Sequence, residues 1–154
     1  MNKYIGTNLD EAGEMNLITY NEYRGWQIPK DENPLREGYL VRHSNAYVSW
    51  VPKEEFDKTH LKVSANPKLK TDVSISLEMV DRFIKDVNVS TIGDKTTLVR
   101  AVLVNGFEII EASACVDKEN YSEKIGGEVC LGKIKDKIWM LLGFLLQTAV
   151  GGIK

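Results

Sequence analysis

Few side chains in this 154-residue sequence could do chemistry, and their spacing favours binding over catalysis. Its two histidines, His43 and His60, both fall in the first half. Cys115 and Cys130 are not arranged as C-x-x-C, so a zinc site of the usual ligand types is not expected. The P-loop, G-x-S-x-G and G-x-G-x-x-G patterns are absent. Gly126-Gly127 opens a helix without the flanking residues of a phosphate loop, and close packing between helices explains the pair first. Asp117, Glu119 and Asp136 could do acid–base work, but carboxylates near a helix start are first explained by capping and by the helix dipole. A serine–histidine–acid or cysteine–histidine set would require the N-terminal residues to lie over the Ser113–Asp117 loop, and nothing in the sequence demands that. The reading is therefore a non-enzyme with no metal and no cofactor.

Binding groups are easier to assemble. A nucleotide needs cations or backbone N–H groups for its phosphates, a flat apolar surface for its base, and amides or hydroxyls for its ribose. The stretch Asn105 to Asn120 and the helix after it offer all three. Phe107 could stack on a base. Asn105, Ser113, Asn120 and Tyr121 supply hydrogen-bonding groups, and Lys124, Lys133 and Lys137 follow along the helix, whose first N–H groups attract anions. Arg100 interrupts an apolar strand. A cross-strand ion pair with Glu111 explains it first, and a guanidinium offered to phosphate is the functional alternative.

The elements that must position these residues are legible. Asn105-Gly106 sits between apolar runs, and Asn-Gly suits a two-residue type I′ turn, so a hairpin is expected here, with Val104 opposite Phe107. Its strands run from Lys95 to Val104 and from Phe107 to Cys115. Ser76 reads as the N-cap of a helix Leu77 to Asp86, and Val87 to Ile92 as a strand, which makes a three-stranded meander. The last helix starts near Tyr121 or Ser122 and reaches about Ala149. One side carries Ile125, Val129 and Met140, another Leu131, Ile134, Ile138, Leu141 and Leu145, and from Ile138 onward it is apolar all round. A helix without a polar face must be covered on every side, so a homo-oligomer, a dimer or higher, is expected.

The first 62 residues read as a separate aromatic-rich unit: a helix Met15 to Tyr23 stopped by Gly25, a hairpin of Tyr39 to Arg42 and Tyr47 to Val51 turning at Ser44-Asn45, and a short helix after Pro52. Its aromatics, Tyr20, Tyr23, Trp26, Tyr39, Tyr47 and Trp50 among them, read as core rather than as a base-stacking platform. Residues 63–72 are a polar, Pro-containing linker, and 73–154 form the second domain. The fold class is α+β: an antiparallel β-meander packed with a long C-terminal helix, preceded by a small α+β unit. Charged residues make up 27% and the net charge is −2, which argues against a nucleic-acid binder. Two cysteines suit intracellular thiols better than a disulfide framework. No secretory signal is visible, and the apolar run Ile138 to Leu146 is short for a membrane span, so no membrane partner is expected.

The segments KTTLVRAVLVNGFEIIEASACVDKENYSEKIG and KIKDKIWMLLGFLLQ resemble the small phage family named for gene products forty-nine and sixty-six of two viruses. That family in turn resembles the first type of Thoeris anti-defence proteins. The resemblance implies a sponge acting in the host cytoplasm. It would sequester a cyclic nucleotide immune signal, a glyco-cyclic ADP-ribose or a cyclic dinucleotide, without cleaving it, at sites between subunits of a dimer or hexamer. The ligand residues would be Arg100, Asn105, Phe107, Ser113, Asn120, Tyr121, Lys124, Lys133 and Lys137. Lysines stand where such helices commonly carry arginines, and Lys makes a point contact rather than a fork. The rival reading is a non-enzymatic phage structural or protein-interaction module.

Overall fold

The computed structural model describes residues 1–64 and 66–153; Ala65, inside the expected linker, and Lys154, the end of the expected second domain, lie outside them. The chain divides into two compact units, one of Met1–Lys62 with Gln147–Lys154, the other of Val63–Leu146. The α+β class is as expected.

The first unit holds strand β1 (Glu11–Glu14), helix α1 (Leu17–Arg24), strands β2 (Gly38–Arg42) and β3 (Val48–Pro52), and helix α2 (Lys53–Thr59). Asn16 caps α1 by accepting the Thr19 N–H at 3.0 Å. Gly25 ends it in the left-handed conformation (φ 68°), returning its N–H to Asn21 and Glu22. The hairpin turns through Ser44-Asn45 as expected. The sheet order β1-β2-β3 adds a strand the sequence hides, because every residue of Glu-Ala-Gly-Glu is exposed and no alternation marks it. Trp50 lies over Gly38, where a Cβ would come within 2.6 Å of the Val51 carbonyl, and its indole N–H donates to the Met15 carbonyl at 2.7 Å.

The second unit holds helix α3 (Leu77–Phe83), strands β4 (Ile84–Ile92), β5 (Thr96–Leu103) and β6 (Glu108–Ala114), and helix α4 (Glu123–Gly151) as far as Leu146. The sheet is the expected meander, β4-β5-β6. Ser76 caps α3 through the Met79 N–H at 3.3 Å. The helix stops at Phe83 rather than Asp86, because Ile84 and Asp86 pair with Leu103 and Val102 across an irregularity at Lys85. Long-range pairing there outweighs a continuing helical pattern.

The connection between β5 and β6 corrects the expected turn. Leu103, not Val104, faces Phe107, and its N–H reaches the Phe107 carbonyl at 2.8 Å. Three residues therefore make the turn. Gly106 alone has positive φ, at 83°, and Asn105 does not. A three-residue loop with glycine in the left-handed position is the other common use of Asn-Gly in a hairpin. The one-residue difference resets every cross-strand pair on β6.

Thr97, Val99, Ala101 and Leu103 of β5 are buried on one face of the sheet. Gly127, Cys130, Ile134, Ile138 and Leu142 form the buried stripe of α4. Their three- and four-residue spacing is the helical repeat. Ile134 and Ile138 were expected in that stripe, but Cys130 and Leu142 replace Leu141 and Leu145, which stay partly exposed. The Cys130 thiol is buried and faces the Thr97 carbonyl at 3.9 Å. Cys115 is half-buried, and both thiols are free. No helix among the described residues is long and apolar enough to cross a membrane.

Candidate functional site

A close approach of helix to sheet builds the candidate site. A Cβ on Gly126 would lie 2.7 Å from Thr97 Cβ and closer still to Thr97 Oγ1. Gly127 rests against Val89, 3.4 Å from where its own Cβ would be. The glycine pair is therefore a packing device between helix and sheet, not between helices. Beside it, α4 and β4 leave an open groove of about 370 Å³ lined by Val87, Val89, Glu123, Lys124, Gly127, Glu128 and Leu131. Its floor is aliphatic and its rim carries charges of both signs. Next to it the Tyr121 hydroxyl shares hydrogen bonds with Thr91 Oγ1 at 2.7 Å and Thr97 Oγ1 at 3.0 Å. Thr91 in turn donates to the Glu123 carboxylate. Ser122, rather than Asn120, caps α4: its Oγ accepts the Ile125 N–H at 3.4 Å and its carbonyl the Gly126 N–H at 2.9 Å.

The nine expected ligand residues fall in separate places. Lys124 lines the groove and Tyr121 closes one end of the hydroxyl cluster. Asn120 ends a short 3-10 turn, Lys118–Asn120, and is exposed. Lys133 and Lys137 face β6 instead, Lys133 reaching the Ala112 carbonyl at 3.4 Å and Lys137 the Glu111 carboxylate. Lys124 and Lys133 are about two and a half turns apart, which puts them on opposite sides of the helix. Ser113 pairs with Thr97 in register and is half-buried. Asn105 and Phe107 sit at the hairpin tip, where Asn105 Oδ1 accepts the Phe107 N–H at 3.0 Å. Seven residues of β6 separate that tip from the loop before α4, roughly 20 Å of strand. Within one chain, Phe107 therefore lies far from the start of α4.

Arg100 is on the sheet face turned away from α4, since it alternates with the buried Val99 and Ala101. The expected Arg100–Glu111 pair does not form, because the three-residue turn sets Arg100 opposite Ile110 and Val99 opposite Glu111. Arg100 instead grips the Glu108 carboxylate with two nitrogens, Nε at 2.8 Å. Glu111, on the other face, takes Lys137. The hydrogen bond from Arg100 holds the Glu108 carboxyl below the usual glutamate range, and the hydrogen bond from Lys137 does the same for Glu111. A carboxylate depressed in the folded state adds stability above its unfolded pKa and loses it as pH falls through the folded value. In an NMR titration both carboxyl resonances should move below the ordinary glutamate range. Arg100→Gln should restore Glu108 and leave Glu111 alone, and Lys137→Gln should do the reverse. A common response of both carboxyls to either variant would contradict the two-faced placement.

The groove residues absent from the sequence reading are Val87, Val89, Glu123, Glu128 and Leu131, with Thr91 and Thr97 in the hydroxyl cluster. The signal for them was Gly126-Gly127, which marks a close approach of helix and sheet. Among the described residues no group of three or more His, Cys, Asp or Glu side chains could hold a metal ion.

Residues 75–150 match the model of the Phage protein (N4 Gp49/phage Sf6 gene 66) family. No curated protein matches the chain, and no solved structure does.

Proposed function

We propose, from the match of residues 75–150 to that phage family, that the chain is an anti-defence sponge. It binds a cyclic nucleotide immune signal of the glyco-cyclic ADP-ribose type in the host cytoplasm and holds it uncleaved, blocking Thoeris-type signalling. The resemblance to the first type of Thoeris anti-defence protein supplies the ligand class. The observation that carries the reading is the groove at the start of α4. Val87, Val89 and Leu131 offer an aliphatic floor for a base, Lys124 a cation for a phosphate, and Glu123 and Glu128 acceptors for ribose hydroxyls. About 370 Å³ is at the small end of ligand sites, enough for one base and its phosphate. The rest of the signal then needs a second wall. Ile125, Val129 and Met140 are exposed apolar residues of α4, and a second copy of the chain laid on them supplies that wall.

Sequestering a micromolar signal takes about −8 kcal/mol. The test is to incubate the full chain with signal produced by a TIR enzyme, filter, denature by heat and assay what is released. Intact signal supports the sponge. No retention leaves the structural or interaction module, and altered signal means an enzyme. Calorimetry then places the site. Lys124→Glu should weaken binding at least tenfold, while Phe107→Ala, at the far end of the sheet, should leave it within about twofold. The opposite pattern would move the site to the hairpin tip.

A further inference from the structure

We infer that the first unit carries a serine-nucleophile site, Ser49–His43–Asp10, able to accept an acyl group from small carboxylic esters. The three residues come from three adjacent strands of one sheet. Glu11 pairs with Arg42, so Asp10, one residue before β1, falls opposite His43, one residue after β2. Ser49 pairs with Val41, diagonally across from His43 on the same face. The contacts follow from that register. Asp10 Oδ2 is 3.2 Å from His43 Nδ1, and His43 Nε2 is 3.0 Å from Ser49 Oγ. A proton on Nδ1 satisfies both: Nδ1–H donates to the carboxylate, and Nε2 accepts from the serine hydroxyl. That is the order of acid, base and nucleophile that acyl transfer requires, and such sets are recognised by geometry rather than by chain position.

The surroundings fit the roles. The Asp10 side chain is only 6% exposed, while the His43 side chain is 30% exposed, so the orienting carboxylate is shielded and the base is reachable. Asp10 Oδ1 is buried with no hydrogen-bond partner, which concentrates the carboxylate's interactions on Oδ2. His60 brings Nε2 to 3.8 Å from that same oxygen. Both histidines of the chain therefore address one carboxylate. An oxyanion donor would have to come from the backbone of this strand. The His43 N–H bonds to the Tyr47 carbonyl and the Lys53 N–H to the Glu37 carbonyl, so Ser49 belongs to the hydrogen-bonded set facing β2. Trp50 belongs to the alternate set. Its N–H points away from β2, out of the open edge of β3, one residue after Ser49.

In the reaction, Ser49 Oγ bonds to the ester carbonyl carbon and its proton passes to His43 Nε2. The carbon–oxygen bond to the alcohol breaks, and the alcohol leaves with that proton. Water, deprotonated by His43, then displaces the acyl group as a carboxylic acid and restores the serine. No other reactant is needed. The site uses none of the residues of the proposed sponge groove, so either can fail alone.

The probes are a fluorophosphonate and p-nitrophenyl acetate, used on the full chain. One phosphonyl adduct should appear, on the peptide carrying Ser49, and Ser49→Ala should abolish both the adduct and ester turnover. Asp10→Asn, which keeps the shape but disturbs the histidine tautomer, should slow labelling at least a hundredfold. Thermal melts of both variants separate chemistry from unfolding. An unlabelled Ser49 in the folded wild type would overturn the inference, whatever the variants do. So would a Ser49→Ala chain that hydrolyses the ester as fast as the wild type.

Discussion

Gly126→Ala should cost the second unit about 3 kcal/mol, near the upper end of what an overpacked site costs. The added methyl would meet Thr97 Cβ at 2.7 Å and press harder still on Thr97 Oγ1. Neither atom can give way easily. Thr97 is fully buried on the central strand β5, and its hydroxyl is held by Tyr121. The helix cannot retreat without opening the contact between its buried stripe, Cys130, Ile134 and Ile138, and the sheet. In a chain of this length, 3 kcal/mol corresponds to a fall of roughly 6–12 °C in melting temperature. Thr97→Ala in the same chain removes the hydroxyl but leaves the Cβ contact, so the double variant should recover only part of the loss. A Gly126→Ala protein that melts with the wild type would mean that helix and sheet are not held this close. The groove against β4 would then lose its physical basis.

How much of this was legible beforehand varies with the kind of signal. Local signals read true. Asn16 was missed as a cap, but Gly25 ends α1 as expected and Ser76 caps α3. Asn-Gly marked the hairpin correctly but not its register, because the same dipeptide serves a two-residue turn and a three-residue one. That single residue moved the partner of Arg100 from Glu111 to Glu108 and turned Glu111 to the opposite face, toward Lys137 of α4. The candidate ligand residues were neighbours in sequence, yet the antiparallel meander sends the hairpin tip and the start of α4 to opposite ends of the sheet. Helical period separates Lys124 from Lys133 and Lys137 in the same way. The Ser49–His43–Asp10 row stayed hidden for a different reason. It depends on β1, whose Glu-Ala-Gly-Glu sequence has no apolar alternation and is a strand only because β2 pairs with it. Without β1, Asp10 had no neighbour, and a serine–histidine–acid set could be imagined only across the two halves of the chain.

Two lysine substitutions on α4 should have opposite consequences, and together they test self-association. Leu142 is 2% exposed at the end of the buried stripe, whereas Met140 is 67% exposed on the same helix. Leu142→Lys places an unpaired ammonium where a leucine is covered, at a cost of several kcal/mol, comparable with the whole stability of many domains. It should yield little folded protein. Met140→Lys meets no such barrier within the chain, and a surface change of this kind shifts stability by about 0.5 kcal/mol or less. Its effect should fall on assembly. The wild type should scatter light as a dimer or larger at micromolar concentration, because Ile125, Val129 and Met140 leave apolar area on α4 that a second copy covers. Met140→Lys would put a charge into that contact and should release a monomer of about the chain mass, 17.4 kDa, with an unchanged melt once dilution is accounted for. A wild type that is already monomeric removes the second wall from the groove. The sponge reading would then require the single-chain site of about 370 Å³ to bind the signal alone.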